Sequence, residues 1–229
     1  MSADPHAQGA LLQSGVEPGA ARLGLVLAHG RGGSARDIMG LAGASGQSDI
    51  AVAAPEAMGN SWWPVSFLAP LHDLDPWLGS ALEAMRRAVA SLEVGGLPRE
   101  RIVLAGFSQG ACLAAEFAAR EGGRWAGLAV LSGALVGTHD AGDAPDQALY
   151  GHTPKRFDYD RRLDGVPVYF GCHAQDPHIP RARVEESAGV MRALGAQVEM
   201  SIHPGAGHGI TDADLEAFRD LVAGSGHPK

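Results

Sequence analysis

The sequence predicts an α/β protein built on a mostly parallel sheet with helices on both faces, and three observations carry that expectation. Short aliphatic runs alternate over the whole length with stretches whose apolar residues recur at helical spacing. The best of these runs, at 23–28 and 102–106, are apolar throughout, as strands are when both their faces are covered. No internal repeat or second boundary interrupts the 229 residues, so one domain spanning 1–229 is expected, with no large separate cap domain.

Taken in order, 9–14 suggests a short leading strand and 23–28 a firmer one, followed by the glycine-rich turn His29-Gly-Arg-Gly-Gly33. A helix is expected over about 34–44 and a strand over 50–54. A loop over 55–74 then carries Trp62, Trp63, Pro64, Phe67 and Pro70. Asp75 is placed to cap the next helix and Pro76 to occupy its first position, while Leu78, Leu82, Met85, Val89 and Leu92 make one apolar face before Gly95-Gly96 ends it. After 101–119 comes a strand near 126–131. The stretch 136–165 changes character, mixing Gly, Asp, Pro and His with Tyr150, Phe157 and Tyr159. It reads as a long surface excursion that could form a partial lid. Strand 166–171, a helix from Pro180, strand 197–202 and a final helix capped by Thr211 complete the chain.

Composition narrows the function. The formal net charge is −8, from 18 basic and 26 acidic side chains, which offers no electrostatic attraction for nucleic acid or an anionic membrane. No apolar run approaches the length of a bilayer span, and 1–10 lacks the charges and apolar segment of a targeting sequence. A cytoplasmic protein is expected. Its two cysteines, Cys112 and Cys172, both lie in apolar segments and read as buried thiols.

The chemistry is concentrated where strands end, because ligands in open α/β sheets bind beyond the carboxyl ends of the strands. Residues 101–119 read as strand, tight turn and helix, pivoting on Gly106-Phe-Ser108-Gln-Gly110. Glycines two before and two after the serine leave room for strand and helix to approach, and push its hydroxyl out at the sheet's edge. Alone, the pattern is weak. After the strand near 171 come Cys172-His-Ala-Gln-Asp176-Pro-His178-Ile179-Pro180, and after the last strand His203-Pro-Gly-Ala-Gly-His208-Gly. Three strand ends thus present serine, aspartate and histidine in the order found in α/β-hydrolases. A serine hydroxyl needs an imidazole to take its proton, and that imidazole needs a carboxylate to orient it and stabilise its cation. His208, in a glycine-bounded loop, is preferred as base over His203, His173 and His178. Asp176 is preferred as acid over Asp140, Asp143, Asp160 and Asp164, which lie in the excursion.

Attack on a carbonyl develops an oxyanion that needs preorganised N–H donors. The backbone N–H of Gln109, directly after the nucleophile, is one candidate, and that of Arg31 in the first glycine turn is the other, with Gly32 as the next choice. That turn lacks the lysine and spacing of a phosphate loop. The close spacing of Cys172, His173 and Asp176 has no repeated ligand pair elsewhere, so no metal is expected.

These residues resemble the bacterial phospholipase/carboxylesterase group of α/β-hydrolases, which also includes acyl-protein thioesterases. The likeness runs from about Leu23 to the final helix and rests on His29-Gly30, Gly-Phe-Ser108-Gln-Gly-Ala, the Asp176-Pro-His-Ile-Pro stretch and Gly207-His208. It implies an α/β-hydrolase fold and hydrolysis of short to medium acyl esters without a cofactor. It also implies a substrate-lining role for the aromatic loop 60–70, giving Trp62, Trp63 and Phe67 as binding residues together with Ile179; the alternative is that the loop plugs the core, since tryptophans bury well. The partner implied is a small-molecule ester, with the protein a monomer or homodimer. A thioesterase or lysophospholipase acting on longer chains is the alternative, and a hydrolase-fold binding protein without turnover the more distant one. Arg31 departs from the pattern, standing where many relatives carry an apolar residue; a solvated side chain is the first expectation, and contact with a polar or anionic substrate group the other.

Overall fold

The computed structural model describes residues 4–138 and 155–225. Its strands are β1 (Leu11–Gly15), β2 (Leu23–Ala28), β3 (Ile50–Pro55), β4 (Ile102–Phe107), β5 (Gly127–Leu131), β6 (Pro167–Gln175) and β7 (Gln197–Ala206). They form one sheet in the order β1-β3-β2-β4-β5-β6-β7, parallel throughout except for β1, which pairs antiparallel with β3. The helices are α1 (Ala35–Ile38), α2 (Gly40–Ala44), α3 (Leu71–Leu74), α4 (Trp77–Val94), α5 (Gln109–Glu121), α6 (Arg181–Ala193) and α7 (Asp212–Gly224).

Alternation along each strand divides the core into two layers. On one face Val26, Ile102, Leu104, Leu128 and Val130 pack with Met85 and Val89 of α4, Phe117 of α5 and Val184 of α6. On the other, Leu25, Leu27, Val103, Ala129 and Leu131 meet Ile38, Leu41, Phe218 and Val222 of α1, α2 and α7. No separate cap layer stands above the sheet among the described residues. The central strands β4 and β5 are buried along almost their whole length, which explains their uninterrupted apolar sequence.

Several expectations need adjusting. The single helix expected over 34–44 is two short ones, divided at Met39 ahead of Gly40; a glycine inside a helix weakens it. Ser34 nonetheless caps the first, in a reciprocal pair with Asp37. Asp75 does not cap α4: Pro76 takes the cap position, Asp75 lies one residue outside in extended backbone, and no side chain bonds the helix start. Strands β6 and β7 run further than expected, carrying His173 and His203 as paired neighbours inside the sheet.

Most of the excursion, including the part that would form a lid and its Asp140, Asp143 and Tyr150, lies outside the described residues. Its described ends are anchored. Thr138 bridges to Pro70, and its hydroxyl donates to the Leu68 carbonyl at 2.9 Å. On the returning side Lys155 Nζ sits between both oxygens of Glu116 at 3.1 and 3.0 Å, and Tyr159 OH donates to Glu116 at 2.7 Å. Glu116 is fully buried on α5; burial alone would raise its pKa, but Lys155 and Arg120 outweigh it and hold the carboxyl below its ordinary value. The helix that begins at the serine therefore also fastens the end of the excursion.

Candidate active site

Ser108 joins β4 to α5 with φ 54° and ψ −122°, a left-handed backbone that ordinary side chains rarely adopt. The flanking glycines make the turn possible. A Cβ on Gly106 would lie 2.4 Å from the backbone of Gly110, and one on Gly110 would lie 2.1 Å from the Ala28 carbonyl oxygen. The first lets helix fold back on strand; the second lets the helix start press against the end of β2.

Beyond the ends of β6 and β7, the expected acid and base arrive beside this serine. His208 Nε2 lies 2.8 Å from Ser108 Oγ, and His208 Nδ1 lies 2.8 and 3.1 Å from the two Asp176 oxygens. A carboxylate can only accept, so Nδ1 carries the proton, and Nε2 is left to accept from the serine hydroxyl. Asp176 is held in turn by the N–H groups of His178 at 2.8 Å and Ile179 at 3.0 Å, both on Oδ1. Its side chain is wholly buried, while that of His208 is 17% exposed. The His208 ring also meets Phe107 at 5.2 Å and the edge of His178 at 4.8 Å between centroids. The imidazole is thereby fixed in both tautomer and orientation.

The first glycine turn reaches the serine closely enough that a Cβ on Gly30 would lie 3.3 Å from Ser108 Cβ. Gly32 N–H is taken by the Asn60 carbonyl at 2.7 Å, whereas the N–H groups of Arg31 and Gln109 meet no protein acceptor among the described residues. The turn is held from behind by His29, which is buried; its Nδ1 donates to the Gly30 carbonyl at 2.8 Å, and its Nε2 accepts from Ala57 N–H at 3.1 Å. A second proton would remove that acceptor, and burial lowers the pKa of His29 below the ordinary 6.5.

A cleft of about 520 Å³ opens beside Ser108 and His208. Trp63, Phe67 and Ile179, named from the sequence as substrate-binding residues, line it together with Phe107 and Cys112, neither of which the sequence had assigned to a cleft. Both had a signal: Phe107 immediately precedes Ser108, and Cys112 lies one helical turn after it on α5. Trp62 does not line the cleft. It is fully buried, donates its indole N–H to the His29 carbonyl at 2.9 Å, and packs against the rings of His6 and His29. The Gln109 side chain was also missed: it accepts from Trp62 N–H and donates to the Trp63 carbonyl, each at 2.9 Å, tying the aromatic loop to the start of α5. The thiols of Cys112 and Cys172 are both free, and burial pushes each up to about 12, which keeps them protonated and poor as nucleophiles.

Of the competing histidines, His178 lines the cleft beside His208 while His203 and His173 stand elsewhere. His203 Nε2 pairs with Asp214 Oδ1 at 2.7 Å, and the His173 ring packs beneath Gly207. Among the described residues no cluster of three or more His, Cys, Asp or Glu side chains could hold a metal ion, and no helix is long and apolar enough to cross a membrane.

The family described as phospholipase/carboxylesterase matches residues 23–224. A phospholipase/carboxylesterase from Dyadobacter fermentans is 32% identical, with a TM-score of 0.81 over 94% of this chain and 96% of that one. The Bacillus cereus carboxylesterase, 19% identical, superposes with a TM-score of 0.67 over 96% and 95%. Arabidopsis thaliana SOBER1, also 19% identical, gives 0.63 over 89% and 98%; these two show a shared fold. No curated protein matched the chain.

Proposed function

The chain belongs to the phospholipase/carboxylesterase family of α/β-hydrolases, enzymes that cleave carboxylic esters, and on that footing we propose that it is a serine carboxylesterase acting through an acyl-enzyme. The observation that carries the reading is the continuous relay from Asp176 through His208 to Ser108, with 2.8 Å at each step. Ser108 Oγ attacks the ester carbonyl carbon as its proton passes to His208 Nε2. The Asp176 carboxylate stabilises the imidazolium so formed and stays ionised. Negative charge moves onto the carbonyl oxygen, where the free N–H groups of Gln109 and Arg31 receive it. The tetrahedral species collapses, the alcohol leaves with the proton from His208, and the acyl group remains on Ser108. Water then gives a proton to His208 and adds its oxygen to the acyl carbon. A second collapse releases the acid and returns the proton to Ser108.

Acyl groups of short to medium length suit a cleft of about 520 Å³ lined by Trp63, Phe67 and Cys112. The reading is tested with 4-nitrophenyl esters from acetyl to palmitoyl. A burst of nitrophenol equal to the enzyme concentration is expected, with kcat/KM highest for short or medium chains. Absence of turnover across the whole series would reject the esterase, and a maximum at palmitoyl would favour the long-chain alternative.

A further inference from the structure

Among the described residues Arg31 is the only arginine or lysine lining the cleft, and the geometry points to an anionic substrate, one carrying a carboxylate or phosphate at a distance from the scissile ester. This inference rests on the esterase reading. The protein carries a formal net charge of −8, so a cation at the mouth of its cleft runs against the general balance of its surface. The guanidinium has a defined place: Arg31 Nη1 donates to the Pro64 carbonyl at 3.1 Å and Nη2 to the Val65 carbonyl, which lays the side chain along the wall formed by the aromatic loop. Two carbonyl acceptors do not neutralise it. A guanidinium has five N–H donors, so others remain for a ligand.

Among the described residues no acidic side chain lines the cleft, and the bonds of the Arg31 guanidinium go to carbonyls. Carboxylates on segments flanking the site are engaged elsewhere. Asp37 bonds Ser34, Glu56 accepts from Ala35 N–H, and Asp176 is enclosed behind His208. The same residue offers its backbone N–H to the reacting carbonyl, so the charge stands one arginine side chain away from the reaction. A substrate would therefore bear its anion several methylenes from the ester. A terminal carboxylate on the acyl chain and an anionic alcohol both meet this description, and experiment separates them.

The test compares kcat/KM for matched esters. In the acyl arm the 4-nitrophenyl monoester of adipic acid is set against 4-nitrophenyl hexanoate. In the alcohol arm 4-butanoyloxybenzoate is set against its methyl ester. Each ratio of anionic to neutral substrate is measured in the wild type, in Arg31→Gln, which keeps amide donors for the two carbonyls without the charge, and in Arg31→Lys. The Gln variant is expected to lower the ratio about fivefold in at least one arm, the scale of a partly exposed ion pair, and Lys to retain most of it. The arm that responds identifies the half of the ester bearing the anion. A guanidinium that served only to hold the aromatic loop would lower both members of a pair together and leave every ratio unchanged; that result overturns the inference while leaving the esterase intact. Failure of the wild type to cleave any of the four esters removes the esterase reading and the inference with it.

Discussion

Two histidine–aspartate pairs lie at the same end of the sheet, and their difference shows how little such a pair means by itself. His208 and Asp176 are 2.8 Å apart, and so, at 2.7 Å, are His203 and Asp214. His203 lies within β7 and His208 just beyond its end, and each aspartate is buried. What separates them is the far side of the pair. His208 turns its second nitrogen to Ser108 and the cleft. His203 instead shares its Nε2 between Asp214 and the Thr211 hydroxyl, while Asp214 caps α7 and accepts from Tyr169 OH at 2.8 Å. One carboxylate orients an imidazole that reaches a serine; the other closes a helix and a strand together.

The comparison can be broken most forcefully at the serine. Ser108→Ala is expected to lower kcat by about 10⁶-fold, the scale seen when a triad nucleophile is removed, with a melting temperature near that of the wild type. Next, Asp176→Asn should cost about 10⁴-fold in kcat, because an amide can hold His208 in the wrong tautomer. Its counterpart, Asp214→Ala, should instead act on folding. Losing acceptors for Thr211, Tyr169 and His203 is expected to destabilise by about 3 kcal/mol in a urea titration, with kcat/KM reduced less than tenfold. If Asp214→Ala abolished turnover in a folded protein, the division of roles would be wrong.

The smallest effect concerns pH and stability. His29 and His6 fold with pKa values below the ordinary 6.5, chiefly through burial, so the unfolded chain takes up protons that the folded chain refuses. Their contribution is complete above pH 6.5 and is lost as pH falls through the lowered folded values. Asp214 is also shifted down: burial opposes ionisation, but bonds from Thr211, His203 and Tyr169 prevail, so its contribution is present above the ordinary 3.8 and lost below that as the folded carboxyl protonates. Melting temperature followed by fluorescence should therefore decline gently below pH 6.5 and more steeply below pH 4.

Much of this was legible because the governing forces are local. Strands β2 and β4 announced themselves by unbroken apolar runs, and Gly106 and Gly110 by their fixed distance from Ser108. The triad residues could be placed because each directly follows, or closely follows, a strand. Other features depend on where distant segments meet. Nothing near Trp62 distinguishes it from Trp63, yet one faces the His29 carbonyl and the other the cleft. The Gln109 side chain and His29 likewise gain their roles from a loop some fifty and thirty residues away, as the bonds to Trp62 and Ala57 record. The burial of Glu116 with Lys155 joins a helix to the end of the excursion, a pairing that periodicity cannot reveal.

The central claim is that Ser108, activated by His208 rather than by any other histidine, is the nucleophile. Intact-mass and peptide-level spectrometry after exposure to a fluorophosphonate tests it directly, using the wild type, His208→Ala and His203→Ala. The account predicts one adduct per chain, on Ser108, formed at a rate that collapses in His208→Ala and stays within about tenfold of wild type in His203→Ala. An adduct on another residue, no adduct, or equal labelling in His208→Ala would contradict it.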